Sequence, residues 1–321
     1  MLSRFRELSG LAKYAWITLV WNVLVILWGV FLRASKSGDG CGQHWLTCHG
    51  EVIPSAPELK TVIEFSHRIT SFIALVMVVA LVIWVFRKFK KGEPIRKTAI
   101  GSLVFILTEA LVGAGLVLTG NTAETLTPTR PFWMMGHLLN TFILLAFLTL
   151  TARYASGGAK MRFRIETQHL VVIVLGIVAI IFVGLTGSIA ALANMIFPSQ
   201  TIAEGMAKDF SPTSHMLLRL RLLHPISGII SGMMLVFLTG MLARASGREA
   251  GMVRWSNVMF LLVVVQIAFG SLTLFMLAPI VMQVGHLLLA DAIWIAYVLL
   301  AARFLSIEHP EGEGEIVQSE N

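Results

Sequence analysis

Eight apolar stretches of roughly twenty residues divide the chain, each long enough to cross a hydrocarbon core of about 30 Å as a helix. They centre near Ile26, Leu75, Phe105, Leu144, Val178, Ser231, Val264 and Ala292. The polar connections between them alternate in charge. The N-terminus carries Arg4, Arg6 and Lys13, and the second-to-third connection carries Arg87, Lys88, Lys90, Lys91, Arg96 and Lys97. The fourth-to-fifth carries Arg153, Lys160, Arg162 and Arg164, and the sixth-to-seventh Arg244, Arg248 and Arg254. The intervening connections hold only Lys36 and Lys60, then Arg130, then Lys208. By the positive-inside rule both termini are cytoplasmic, and the connection GDGCGQHWLTCHG, from Gly38 to Gly50, faces outside. The pattern predicts an all-α, multi-pass protein of eight transmembrane helices in the inner (cytoplasmic) membrane of a bacterium. The first apolar stretch is too long for a signal-peptide core and reads as a span.

The two halves of the chain echo each other. His67 and His224 lie 157 positions apart, and the same offset relates Glu109 to Gln266 and Gly113 to Gly270. The fourth and eighth spans share a phrase, MGHLLN from Met135 and VGHLLL from Val284, at an offset of 149. These offsets predict two four-helix halves, 1–155 and 156–305, related by a pseudo-twofold along the membrane normal. Residues 306–321 are expected to form a disordered acidic tail.

Composition agrees with the spans. Of 321 residues, 56% are hydrophobic and 13% charged, more apolar surface than a soluble domain can hide. The net charge of +7 sits in short connections, so it reports topology. No nucleic-acid partner is expected, and the partner of the surface is lipid.

Of nine histidines, His44 and His49 fall in the first outside connection and His309 in the tail. His169 is expected at the cytoplasmic end of the fifth span and His215 at the outer mouth of the sixth. His67, His137, His224 and His286 lie within the even-numbered spans at similar depth. A lone intramembrane histidine can be a structural hydrogen-bonder. Two per half, on two helices of one bundle, is the arrangement that grips a haem iron from both faces. Zinc would want further ligands nearby, and none repeats. Small residues at Gly113, Ala114, Gly115, Gly270 and Ser271 would let a flat macrocycle, or simply a neighbouring helix, approach closely.

The repeat breaks at one informative place. The second span reads IEFSHR, with Glu64 three residues before His67; the sixth reads LRLLHP, with Arg221 three residues before His224. The i, i+3 spacing puts each pair on one face. A carboxylate-bridged di-iron site would need a second Glu-x-x-His and two more carboxylates, so it is rejected. Glu64 beside a haem edge can accept a proton or stabilise developing positive charge; otherwise it pairs with Arg68 or caps its helix. Arg68, Arg219 and Arg221 are candidate haem-propionate contacts, the alternative for the last two being interfacial snorkelling. Glu109 and Asp291 could serve a proton path or only hydrogen-bond a neighbour.

On GDGCGQHWLTCHG, IEFSHR, MGHLLN, VGHLLL and the eight-span repeat, the chain resembles the haem A synthase family over about residues 14–304. The resemblance implies oxidation of one ring methyl of haem O to a formyl group by successive hydroxylations. It implies His67 and His137 as ligands of the substrate haem, His224 and His286 as axial ligands of a haem b cofactor, and Glu64 as the acidic residue at the substrate site. Cys41 and Cys48 match the outer-loop pair of many bacterial members. Pro225 stands where many members have Arg, and would kink the sixth span; the stretch 197–213 lacks the second cysteine pair that some members carry. A seven-residue spacing allows a Cys41–Cys48 disulfide, read as a clasp over the first haem site, with a thiol relay or a metal site using His44 or His49 as alternatives. Haem O synthase and cytochrome oxidase assembly factors are the implied partners, with a homo-oligomer left open. The competing reading is a bis-histidine cytochrome that only carries electrons; a transporter would place its polar residues at the midplane, and a prenyl transferase would need an aspartate-rich motif that the chain lacks.

Overall fold

The computed structural model describes residues 7–122 and 126–307. The acidic run 308–321, with His309, and the basic residues Arg4 and Arg6 lie outside the described residues. Ser306 and Ile307, placed in the tail by the sequence, are packed: Ser306 donates to the carbonyl of Ala302 at 2.6 Å and Ile307 packs against the core of the second half.

Eight helical spans are present among the described residues. They are α1 (Gly10–Ala34), α2 (Leu59–Lys88), α3 (Pro94–Leu118), α4 (Arg130–Ala155) and α5 (Thr167–Ile196), followed by a short surface helix, α6 (Ile202–Phe210). The sixth span is built from α7 (Met216–Arg221) and α8 (Leu223–Ala245); α9 (Ala250–Phe275) and α10 (Ile280–Phe304) complete the set. Described residues include no strand, only an isolated bridge between Cys48 and Glu51. The chain is a multi-pass membrane protein.

The helices form because every backbone polar group in hydrocarbon must be satisfied within its own segment. Their starts are marked by Ser9, whose hydroxyl accepts from Ala12 N–H, by Pro94 in the first turn of α3, and by Glu249, whose carboxylate accepts from Met252 N–H at 2.8 Å. The break in the sixth span follows from Pro225, which cannot donate to the carbonyl of Arg221 and whose ring would meet it. At the break, Leu222 N–H instead takes a tight i→i−3 bond to Arg219.

Neighbour relations give two rings of four helices. In the first, α1 packs on α2, α2 on α3, α3 on α4 and α4 on α1; in the second, α5 packs on α8, α8 on α9, α9 on α10 and α10 on α5. The rings meet where α4 touches α5 and α10 touches α1, with α4 against α10 between them. Exchanging the halves maps these contacts onto each other, which is consistent with a pseudo-twofold. Indole and phenol groups bind the helices by satisfying polar atoms in the bundle. Tyr14 donates to Met77 O, Trp21 to Thr70 O and Trp28 to Ser66 Oγ along the α1–α2 seam. Trp294 stacks on Phe142 across the halves and donates to its carbonyl at 2.7 Å. The opposite helix faces stay apolar and uncovered, as with Ile17, Val20 and Leu24 on α1, which is the surface a bilayer covers.

Candidate functional site

Near the disulfide-loop end of the first half, α2 begins one turn before Glu64. Cys41 and Cys48 are bonded, with Cα atoms 4.4 Å apart. The loop they close lies over the start of α2. The Gly40 carbonyl accepts from Thr61 Oγ1 at 2.6 Å and faces His49 Nε2 at 2.8 Å. Gly40 is required here by close approach, since a Cβ would fall 2.7 Å from Thr61 N. The next residue, Cys41, donates its backbone N–H to Glu64 Oε2 at 2.9 Å. Glu64 is 3% exposed, and Arg68 binds its other oxygen through Nε at 3.1 Å and through Nη2. The same guanidinium donates to the carbonyls of His44, Trp45 and Thr47. Glu64 and Arg68 thus fasten the disulfide loop to the helix that carries His67, and Arg68 is already engaged with protein acceptors.

The second half anchors its overlying segment from the equivalent turn with opposite charge. Arg221 donates to Asp209 at 2.5 Å, to Asn194 Oδ1 at 2.8 Å and to the Gly205 carbonyl at 3.2 Å, tying down α6. Arg219 donates to the Pro212 carbonyl. The segment 197–213, read from sequence only as a connection without cysteines, contains a helix capped by Thr201.

His67 and His224 each follow an anchoring residue, Glu64 and Arg221, by three positions. His67 lies against Gly29 of α1, where a Cβ would come 3.1 Å from the ring, and its Nδ1 is buried without a partner. His224 lies against Gly187 of α5 in the same way, with a Cβ position 3.0 Å away, and its Nδ1 is 3.5 Å from Thr186 Oγ1. His286 lies against Gly270 of α9, 2.7 Å from the Cβ position, with Nδ1 buried and without a partner. The His224 and His286 rings are 6.0 Å apart between centres and nearly perpendicular, at 88°. With a metal–nitrogen distance of about 2 Å on each side and a ring radius of roughly 1 Å, two imidazoles gripping one iron have centres ~6 Å apart.

His137 differs from the other three. Its buried Nδ1 makes no aligned hydrogen bond, but it lies 3.0 Å from Glu109 Oε1 of α3, within ion-pair distance. Glu109 also accepts from Thr141 Oγ1 and from Asn140 Nδ2, each at 2.5 Å. Sequence reading left Glu109 between a proton path and a bond to a neighbour; the repeat offset marked its position, but the contact with His137 crosses from α3 to α4 and no spacing shows it. Gln266, its counterpart, lies 3.4 Å from His286 Nε2 through its amide nitrogen. Asp291, on α10, is buried with neither carboxylate oxygen bonded. Among the described residues no group of three or more His, Cys, Asp or Glu gathers as a metal cluster; His224 and His286 stand as a close pair.

The COX15-CtaA model, described as cytochrome oxidase assembly protein, matches residues 12–298. The chain is 44% identical over 298 residues to a Thermus thermophilus protein named Protoheme IX farnesyltransferase, an alignment covering 92% of this chain and 49% of that protein. It is 36% identical over 139 residues to a Halalkalibacterium halodurans protein named Heme A synthase, covering 43% of this chain and 46% of that one. A third relative, from Alkalihalophilus pseudofirmus and also named Heme A synthase, is 33% identical over 135 residues, 42% of this chain and 45% of the relative. The match therefore spans about half the length of these curated relatives. From the family match over nearly its whole length, the chain belongs to the COX15-CtaA family of cytochrome oxidase assembly proteins, the haem A synthase family.

Proposed function

We propose that the chain is a haem A synthase, an oxidoreductase that converts one ring methyl of haem O to a formyl group. Two successive hydroxylations, each a two-electron oxidation of that carbon by an external oxidant, give a geminal diol, which loses water to leave the aldehyde. The observation that carries this reading is the inequality of two otherwise matching halves. The first has carboxylates beside both of its histidines, Glu64 one turn from His67 and Glu109 at His137. The second has Arg221 and Gln266 at those places.

The residues fit a haem in each half. Ring nitrogens buried without partners, glycines behind three of the rings and the 6.0 Å separation of His224 and His286 support bis-histidine ligation. His67 and His137 would hold the substrate haem O; His224 and His286 would hold a haem b. The haem b, when bound, supplies electron transfer to or from the substrate half. Glu64 is the proposed catalytic carboxylate. Its burial and fixed hydrogen bonds hold it one turn from His67, where it would handle a proton or stabilise positive charge on the substrate. The disulfide loop would shield that edge from water. Arg68, Arg219 and Arg221 sit at the mouths of the two sites and would share their present acceptors with haem propionates.

The basic connections favour an inner-membrane protein with both termini in the cytoplasm and the disulfide loop outside, a side on which the Cys41–Cys48 bond would persist. The Thermus relatives extend to about twice the matched length. We read the farnesyltransferase name as describing the part that this chain does not match, so that a haem O-forming enzyme is joined to a domain like this one. For this chain the corresponding partners are a haem O synthase and the assembly factors that receive haem A.

The test is co-expression with a haem O supply, purification, and separation of extracted haems with mass detection. Haem A together with haem B supports the synthase. Haem B alone, with ample haem O present, would overturn it in favour of an electron carrier.

A further inference from the structure

The polar network around His137 has no counterpart in the other half, although the helices that carry it do. Glu109 is gripped on both oxygens, by Asn140 and Thr141, three and four residues beyond His137 on α4. Asn140 is itself fixed, donating to the Phe105 carbonyl at 2.9 Å and accepting from Thr108 Oγ1 at 2.6 Å. The repeat offsets map Glu109, Thr108, Asn140 and Thr141 onto Gln266, Val265, Leu289 and Ala290. Four polar groups in one half thus correspond to one amide and three apolar side chains in the other. The carboxylate and every group that fixes it are present only around His137.

From this juxtaposition we infer that Glu109 is a positioning residue for the substrate haem: with its oxygen 3.0 Å from His137 Nδ1, a small turn of the imidazole lets it accept the Nδ1–H and so present Nε2 to the iron. The inference rests on the proposed ligand role of His137. A carboxylate on the far nitrogen fixes the tautomer and ring orientation and raises the basicity of the ligating nitrogen. A more basic ligand favours the more oxidised iron, which suits the half where a methyl group is oxidised. In the second half Gln266 brings no carboxylate to His286, whose Nδ1 is without a partner, and its iron would be easier to reduce, which suits the half that passes electrons.

The structural alternative is that Glu109 only joins α3 to α4, and the test separates the two. The full chain carrying His224→Ala and His286→Ala, so that only first-half haem remains, is titrated with haem B as the probe, and its midpoint potential and unfolding temperature are measured. Adding Glu109→Gln, nearly isosteric, is expected to weaken haem B binding about 10–100-fold and to raise the midpoint potential. Gln266→Glu, in a chain carrying His67→Ala and His137→Ala, is expected to lower the potential of the second-half haem, which keeps the idea testable if the first variant folds poorly. Unchanged affinity and potential in Glu109→Gln, with only the unfolding temperature reduced, would overturn the positioning role. Failure of the first half to take up haem B before Glu109 is altered would instead overturn the ligand assignment of His137, and this inference with it.

Discussion

Three of the four intramembrane histidines rest on a glycine of a neighbouring helix, and the fourth rests on a carboxylate. The glycines set how close the imidazole lies to the bundle wall. A Cβ at Gly270 would come 2.7 Å from His286 Cε1, too close for the ring to stay in place. Gly270→Ala is therefore expected to cut haem retention in the second half about 10-fold or more while leaving the first half loaded, as measured by haem content and absorption spectra of the purified protein. Equal retention in both halves would show that the ring has room to move. The histidines themselves were legible because they repeat at fixed offsets and because a polar group in a span needs a reason. Gly29 and Gly187 were not singled out, since glycine is common in membrane helices and serves ordinary packing too. Glu109 was visible as a repeat position, yet its partner was not: an offset says which residues correspond, not which ones touch.

At the scale of elements, the disulfide loop reaches the proposed catalytic carboxylate through one hydrogen bond, from Cys41 N–H to Glu64. Removing the covalent closure loosens that donor and the three loop carbonyls held by Arg68. Cys41→Ser is expected to lower haem A formation several-fold without loss of second-half haem B. Equal loss of haem B would contradict a local clasp. At the other end of the bundle, Glu249 caps α9 and pairs with Arg303 of α10. The Arg303 hydrogen bond holds Glu249 down at about 2, against about 4.3 for a free glutamate. A depressed carboxylate contributes its stability in full above the unfolded value and loses it as pH falls toward the folded one. Melting in detergent should therefore show Glu249→Gln less stable than the unaltered chain at pH 6, with the gap closing by about pH 2 to 3. A gap that persists at low pH would mean the pair does not set it. Among the elements, the spans were readable from length, and the kink at Pro225 from its missing N–H. Helix α6 was not foreseen; it is nine residues long, too short to give the apolar run by which the spans were found.

At the scale of the molecule, two four-helix rings meet along α1, α4, α5 and α10. Internal similarity announced the halves, but the hydrophobic pattern could not say which faces meet. In lipid the outer faces are as apolar as the seams, so the one-sided stripe that orients a soluble helix is missing. What orients these helices is sparse and specific: Trp294 on Phe142, indoles on carbonyls, glycines under rings. The same sparse residues make the halves unequal, and on that inequality the proposed division of labour depends. The most direct measurement is haem extraction from Glu64→Ala beside the unaltered chain, both co-expressed with a haem O supply. Haem A from the unaltered chain alone, with haem B retained by both, is the predicted result. Undiminished haem A from Glu64→Ala would contradict it, leaving Glu64 as the ion-pair partner of Arg68 and an anchor of the disulfide loop.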